Sequence, residues 1–423
     1  MKHANPVILV VNGGSSSIRF ALYAAEPVLR ELMHGKVDRI GLSGANITVI
    51  DADGSVQYAQ DVDADNQVIA VSTLLAWLQQ QPVFSGIVAV GHRVVHGMEH
   101  SAAQRVTPEL LDALRRITPF DPEHMAVELQ LIEAMQQCLH TCMHIVCFDT
   151  AFHRSMPRIA KLLPIPRRYQ TAGIERYGFH GLSYEYLMEE LTRLDARSAT
   201  GGRAILAHLG NGASLAAVCN GVSVDTSMGF TPASGLMMST RSGDLDPGLV
   251  YFLAQTQNMS ARQFQTMVNH QSGLLGVSEV SADIRDLLAC EEHDVAAAEA
   301  IALFCYQVKK WIGSFAAVLG GVDTLVFTGG IGENAPIIRE RICAGLEFLG
   351  IQMDSERNLA NAALISADAS TTVVRVIPTN EELMIARAVS RQLATTGNAE
   401  SQPLTYGVPQ TDDDDIDLKR GSS

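Results

Sequence analysis

The chain has 423 residues, 47% hydrophobic and 18% charged, enough for two or three domains with full cores. Its 46 acidic and 31 basic residues leave a formal charge of −15, which counts against nucleic acids and anionic membranes as partners. No apolar run approaches the ~18 residues of a membrane span, and the seven scattered cysteines suit reduced thiols in a cytoplasmic protein.

The chain opens on VILVVNGGSSSIRFALY, residues 7–23. Glycines and serines between apolar runs suggest a phosphate loop, yet G-x-x-x-x-G-K-[ST] is missing and no helical pattern follows. The stretch reads as strand, turn and returning strand. In NITVIDADGSVQYA, Asp53-Gly54 between alternating runs signals a hairpin. A helix is expected over 65–81, then the strand SGIVAVGHRVVHG, a helical region over 107–137 and the strand HIVCFDTAFH. CLHTCMH, residues 138–144, reads as a helix end running into that strand, because no second ligand pair with zinc spacing occurs. Helices alternating with buried strands predict an α/β domain with a mixed sheet.

The pattern then restarts. GRAILAHLGNGASLAAVCNGVSVDTSMGF, residues 202–230, is again strand, Gly-rich turn, strand, turn and strand, so a duplicated domain is expected. A helix over 297–320 feeds the apolar strand and turn of VDTLVFTGGIGENAP. From Thr395 onward the composition turns polar with an aspartate run, which predicts a disordered tail.

Five small-residue turns follow apolar strands: NGGSSS, HLGNGAS, SMGFTPASG, STRSGD and TGGIGEN. Glycine lets backbone N–H groups approach phosphate oxygens. One such turn is best read as a tight hairpin; several in two copies of one pattern are much harder to dismiss as hairpins alone. Arg93 and Arg241 sit beside glycines at strand ends or turns, where a planar guanidinium suits carboxylate or phosphoryl oxygens. Arg241 also has Asp244 and Asp246 as possible ion-pair partners. Asp149 ends an apolar strand, where open α/β sheets place ligand groups. Glu381 lies at a strand–helix boundary, and His180 stands between an aromatic residue and glycine.

Nine ordered motifs over residues 5–395 carry a resemblance: NGGSSSIRF, GHRVVHG, FDTAFH, YGFHG, HLGNGAS, DTSMGFTP, TRSGDLDPG, FTGGIGEN and TNEELMIAR. The chain resembles the acetate and propionate kinase family, within the sugar-kinase, chaperone-ATPase and actin superfamily. The resemblance implies two duplicated actin-like (ribonuclease H-like) domains with mixed sheets flanked by helices and a cleft between them. Residues 1–149 with about 380–395 would form the first domain and 150–379 the second. It implies reversible, direct in-line transfer of the ATP γ-phosphoryl group to acetate or another short-chain carboxylate, with Mg²⁺ (Mn²⁺ as a substitute), in a homodimer.

By position, Asn12 and Glu381 match the metal-organising residues, and Arg19 falls where the family has a lysine near the phosphates. Arg93 matches the carboxylate-binding arginine, with Val95, Phe179 and Pro232 as apolar pocket positions. His180 and Arg241 match the transition-state stabilisers, and Asp149 the residue given as proton donor or acceptor. His208, Leu209, Gly210, Asn211 and Gly212, then Asp283, Ile284 and Arg285, then Gly330, Ile331, Gly332, Glu333 and Asn334 match nucleotide-binding segments. A carboxylate substrate is already ionised at neutral pH, so Asp149 is expected to orient the metal rather than abstract a proton. Met98 stands where a second glycine is usual and is expected to narrow the loop beside Arg93. Glu123 takes an apolar position near the acyl pocket, and His124 aligns with a family histidine. Propionate or butyrate kinases of the same family, and a nucleotide-gated chaperone-like ATPase, are the alternative functions.

Overall fold

The computed structural model describes residues 5–14, 17–41, 43–194 and 202–400. Two mixed sheets organise the chain. In the first, β1 (Val7–Gly13), β2 (Ile18–Ala24), β3 (Arg30–Asp38), β4 (Asn46–Asp51), β5 (Val56–Asp61), β6 (Ile87–Val94), β7 (Gln104–Arg105) and β8 (Met143–Phe148) lie in the order β5-β4-β3-β2-β1-β6-β8-β7. In the second, β9 (Arg203–Leu209), β10 (Ala213–Cys219), β11 (Val222–Thr226), β12 (Thr324–Thr328) and β13 (Val373–Val376) lie in the order β11-β10-β9-β12-β13.

The duplication is visible strand by strand. β3-β2-β1-β6-β8 and β11-β10-β9-β12-β13 share one order and one set of directions, with antiparallel hairpins followed by two parallel neighbours. The opening stretch is a hairpin, as its pattern predicts, with Asn12 opposite Arg19; Ser15 and Ser16 lie outside the described residues. Its counterpart pairs His208 with Ser214. The Asp53-Gly54 turn joins β4 to β5, with Gly54 at φ +87.

Side chains alternate across each strand, so both faces of each sheet are apolar. Val7, Leu9 and Val11 meet the helices Gln67–Gln79 and Pro122–Cys138, while Ile8 and Val10 meet the final helix, Glu381–Glu400. In the second sheet, Ile205 and Ala207 face the long helix Val295–Leu319, and Ala204 and Leu206 face the helix Gly181–Leu194. Ile301, Phe304, Val308, Ile312 and Phe315 bury one stripe of the long helix, while Tyr306 stays 60% exposed.

Two expectations change. The helical region over 107–137 is two helices, Pro108–Ile117 and Pro122–Cys138, because Pro119 and Pro122 cannot donate to a continuous ladder. The final helix runs to Glu400, past the predicted loss of structure at Thr395, and the remaining tail lies outside the described residues. In CLHTCMH, the Cys142 thiol donates to the Ile87 carbonyl, and His144 Nδ1 lies 3.0 Å from His92 Nε2.

Candidate active site

The strand ends and turns of both sheets line one cavity of about 510 Å³. Asn12, Arg19, Arg93, Val95, Asp149 and Glu381 reach it from the first sheet and the final helix. Phe179, His180, His208, Gly210, Asn211, Gly212, Pro232, Arg241, Gly330 and Glu333 reach it from the second sheet's side.

Asp149 is wholly buried and fully engaged. Its Oδ2 accepts from Arg93 Nη2 and from the His180 N–H, each at 2.9 Å. Its backbone carbonyl accepts from Gly181 N–H at 2.8 Å, so the residue tethers the start of the helix Gly181–Leu194. That tether holds His180 at φ +59, a left-handed conformation that costs a residue with a Cβ on the order of 1 kcal/mol or more. Asp149, Glu128 and Glu381 surround Arg93 and raise its pKa although burial opposes them.

His180 stacks on His208 with ring centroids 4.1 Å apart, and its Nδ1 lies 2.9 Å from Ser214 Oγ. Ser214 in turn bonds the buried Tyr184 hydroxyl. Burial first, then His208, Arg93 and Arg241, hold the His180 imidazole well below its usual pKa, so the ring is neutral at pH 7. A methyl group on Gly212 would stand 3.1 Å from His180 Nε2 and 3.8 Å from Arg241 Nη1. Glycine therefore leaves both donors open towards the cavity.

Arg241 is held by three contacts, its Nη1 to the Pro232 carbonyl at 3.2 Å and to Met238 Sδ at 3.8 Å, and its Nη2 to His124 Nε2 at 3.3 Å. Asp121 caps the helix Pro122–Cys138 and grips His124 Nδ1 with both oxygens, at 2.9 and 3.0 Å. That grip places the imidazole proton on Nδ1 and turns the Nε2 lone pair to Arg241. Burial works against the Asp121 carboxylate, yet the His124 bonds hold its pKa below the ordinary value.

At the other wall, Glu333 Oε1 accepts from Gly329 N–H at 2.9 Å and from Thr379 N–H at 3.2 Å. It ties the TGGIGEN turn to the segment before the final helix. Arg339, wholly buried, donates to the Gly332 and Glu333 carbonyls at 2.8 and 3.0 Å and so closes the far end of that turn's short helix.

Several expected residues do not line the cavity. Leu209, Ile284 and Ile331 pack into the core, which follows from their apolar side chains. Gly332 lies beneath the turn, and Asn334 donates to the Gly330 carbonyl on the outer side. Asp283 caps the helix Ile284–Cys290 and pairs with exposed Arg285, away from the cavity. Met98 does not border the cavity either; at φ +48 it adopts the left-handed conformation that glycine favours. Glu123 points away as well, crossing to His270 at 3.1 Å and Asn269 at 3.4 Å. Sequence reasoning missed Asp121, Glu128, Ser214 and Arg339. The available signal for Glu128 was a charge inside the apolar stripe of Met125, Leu129 and Ile132.

Among the described residues no three His, Cys, Asp or Glu side chains form a ready cation cage. The Asn12 amide instead donates to Glu381 at 3.1 Å and to Glu382 at 3.4 Å. Burial, Asp149 and Glu382 push Glu381 up to about 7. Surplus carboxylate charge beside an open cavity suits a hard divalent cation that takes most of its ligands from water and phosphate.

The acetokinase family model matches residues 7–387. An acetate kinase of Rhodopseudomonas palustris (strain TIE-1) is 43% identical over 392 residues, covering 91% of this chain and 98% of that protein. A propionate kinase of Citrobacter rodentium is 43% identical over 390 residues, covering 91% and 96%. The crystal structure of Porphyromonas gingivalis acetate kinase superposes with a TM-score of 0.81 at 36% identity, covering 92% of this chain and all of that one (100%). That of a propionate kinase from Francisella tularensis gives 0.83 at 34% identity, covering 90% and 98%.

Proposed function

The chain belongs to the acetokinase family, and we propose from that premise that its cleft transfers the γ-phosphoryl group of ATP reversibly to acetate, giving acetyl phosphate and ADP. The observation that carries this reading is the convergence of Arg93, His180 and Arg241 on one cavity from the two sheets. Phosphoryl transfer is catalysed mainly by positioning and by neutralising charge. Two arginines and a donor histidine supply both inside an acidic protein.

Arg93 would bind the substrate carboxylate, with Val95, Phe179 and Pro232 shaping the acyl side. Arg93 Nε is buried with no hydrogen-bond partner among the described residues. His180 works as a neutral donor. Ser214 occupies Nδ1, and Nε2 is the ring nitrogen that a Cβ on Gly212 would meet at the cavity, so the donor role falls to Nε2. Arg241 supplies the mobile phosphoryl with a cation whose direction His124 and Pro232 set. The turns at Gly210–Gly212 and Gly330, with His208, Asn211, Glu333 and Arg19, would take the nucleotide phosphates.

Asn12 and Glu381 would hold Mg²⁺, with Mn²⁺ able to replace it, and Asp149 would orient it. When bound, the ion offsets phosphate charge. Asp149 already accepts from Arg93 and from His180 N–H, so its oxygens are committed to orienting contacts.

We also assign a homodimer in a reducing, cytoplasmic setting. The helices Gly248–Gln257 and Ala261–His270 bury none of their residues, and Tyr251 and Phe252 are 72% and 57% exposed. Sedimentation should give twice the 45.6 kDa chain mass; a monomer at micromolar concentration defeats that assignment. Hydroxamate trapping with ATP and a series of carboxylates tests the reaction. Acetate should give the highest kcat/KM, a faster propionate or butyrate would reassign the substrate, and no product with any acid would sink the kinase reading.

A further inference from the structure

One carboxylate is buried on the apolar face of the helix Pro122–Cys138. Glu128 is 2% exposed among Met125, Leu129 and Ile132. Its Oε2 accepts from the Val95 backbone N–H at 2.9 Å and its Oε1 from Arg93 Nη1 at 3.4 Å. It thus touches both a cation and a backbone group at the carboxylate end of the cavity.

The bond to Arg93 is long for an ion pair, which ordinarily closes to about 2.7–2.9 Å. Asp149 takes Arg93 Nη2 at the shorter distance of 2.9 Å. The guanidinium is committed to Asp149 and only loosely to Glu128. A substrate carboxylate docking on Arg93 would bring a further negative charge into the same desolvated space. Like charges so close and so buried do not all stay ionised. Asp149 is fixed by Arg93 and by backbone donors of the helix Gly181–Leu194. Glu128 has one backbone donor and a long contact, so it is the group able to change state.

We propose that Glu128 is a proton-linked positioning residue for Arg93. In alkaline solution its carboxylate seats the guanidinium while the site is empty, and it takes one proton from solvent when a substrate carboxylate docks; nearer neutrality the proton is already in place. The neutral acid still accepts from Val95 N–H but cedes Arg93 Nη1 to the substrate. No bond of the substrate changes in this step. In that alkaline range one proton enters with each carboxylate and returns to solvent when the site empties.

The electrostatics agree with the geometry. Burial pushes the Glu128 carboxyl up to about 8 against the pull of Arg93 and Val95 N–H. The charged groups facing it are Arg93 from β6, Asp149 from the end of β8 and Asp121 from the cap of its own helix.

This inference rests on the carboxylate-kinase reading, and the experiment separates the two. KM for acetate and for ATP is measured on the full chain and on Glu128→Gln between pH ~6.5 and ~9.5, with acetate titrations in two buffers of different ionisation heat to count protons. In the wild type, KM for acetate should rise about tenfold per pH unit above pH ~8, as one-proton linkage requires. KM for ATP should not follow it. The variant should lose that slope and the proton uptake. A variant that keeps the wild-type slope, or that shifts both KM values equally at every pH, overturns the proposal. If the variant folds poorly, the wild-type count decides alone, since no proton bound with acetate at pH ~8.5 is equally fatal. A wild type that makes no acyl phosphate at all defeats the kinase reading instead.

Discussion

Three carboxylates serve two arginines: Asp149 and Glu128 hold Arg93 directly, and Asp121 holds Arg241 through an imidazole. Asp121 reaches Arg241 only by way of His124, whose tautomer it sets. Asp121→Asn would present an amide to His124 Nδ1 and free the ring to carry its proton on Nε2, facing Arg241. We expect kcat to fall by about tenfold or more, in the manner of other tautomer-directing carboxylates, with KM for ATP little changed. Steady-state kinetics decide this, and an unchanged kcat would remove Asp121 from the positioning of Arg241. Arg93, Asp149 and Arg241 were legible in the sequence because each sits near glycine or at the end of an apolar strand, whereas His180 was marked only by its place in a family motif. Glu128 and Asp121 were not, because the residues that give them a role lie far along the chain: Arg93 is 35 positions from Glu128, and Arg241 is 117 from His124.

At the scale of elements, the fit of the final helix on the first sheet depends on one missing side chain. A Cβ on Gly91 in β6 would stand 2.5 Å from Ile385 Cγ2 and 2.8 Å from Val389 Cγ2. Gly91→Ala must push the helix Glu381–Glu400 outward or strain β6, at a cost of about 1–3 kcal/mol for overpacking. Urea unfolding should report that loss. The same variant should raise the metal requirement, because Glu381 opens the displaced helix. A stability equal to wild type would show that the contact relaxes without cost. The hairpins and helices themselves were readable from turn chemistry and periodicity. The break between the helices Pro108–Ile117 and Pro122–Cys138 also has a local cause, in its prolines. The extension of the last helix to Glu400 does not.

For the whole molecule, burial of titratable groups sets the pH range of stability. His92, His96 and His153 are buried, His180 and His208 are part-buried, and desolvation holds all five neutral, His96, His153 and His208 at about 4. Unfolding exposes them to their ordinary pKa of about 6.5. The unfolded chain therefore binds more protons below that pH, and stability present at neutrality is lost as pH falls from about 6.5 towards 4. Glu128 acts in the opposite sense: its raised pKa favours the folded state least above about 8. The melting temperature should drop steeply on the acid side, measured by calorimetry from pH 7 to pH 5, and Glu128→Gln should melt above wild type at alkaline pH. A flat acid limb would mean that the buried imidazoles are protonated in the folded state. The cleft between the sheets is also expected to close when both substrates are present, because phosphoryl transfer requires water to be excluded. Small-angle scattering should show compaction with an ATP analogue plus acetate, and an unchanged radius of gyration would count against closure.

The sequence by itself determined the two hairpin-led sheets, their duplication and the family, because alternation, turn residues and motif order are local properties of the chain. It also marked the two arginines, the histidine and the aspartate of the cleft. Only the tertiary structure decided which carboxylates hold those arginines, that His180 is neutral and that Asp283–Arg285 stand clear of the cavity. Those outcomes depend on desolvation and on pairs brought together across tens to hundreds of residues. The loop NGGSSS, which first resembles a phosphate loop without its lysine, takes its meaning from that assembly: Asn12 donates to Glu381, 369 positions away.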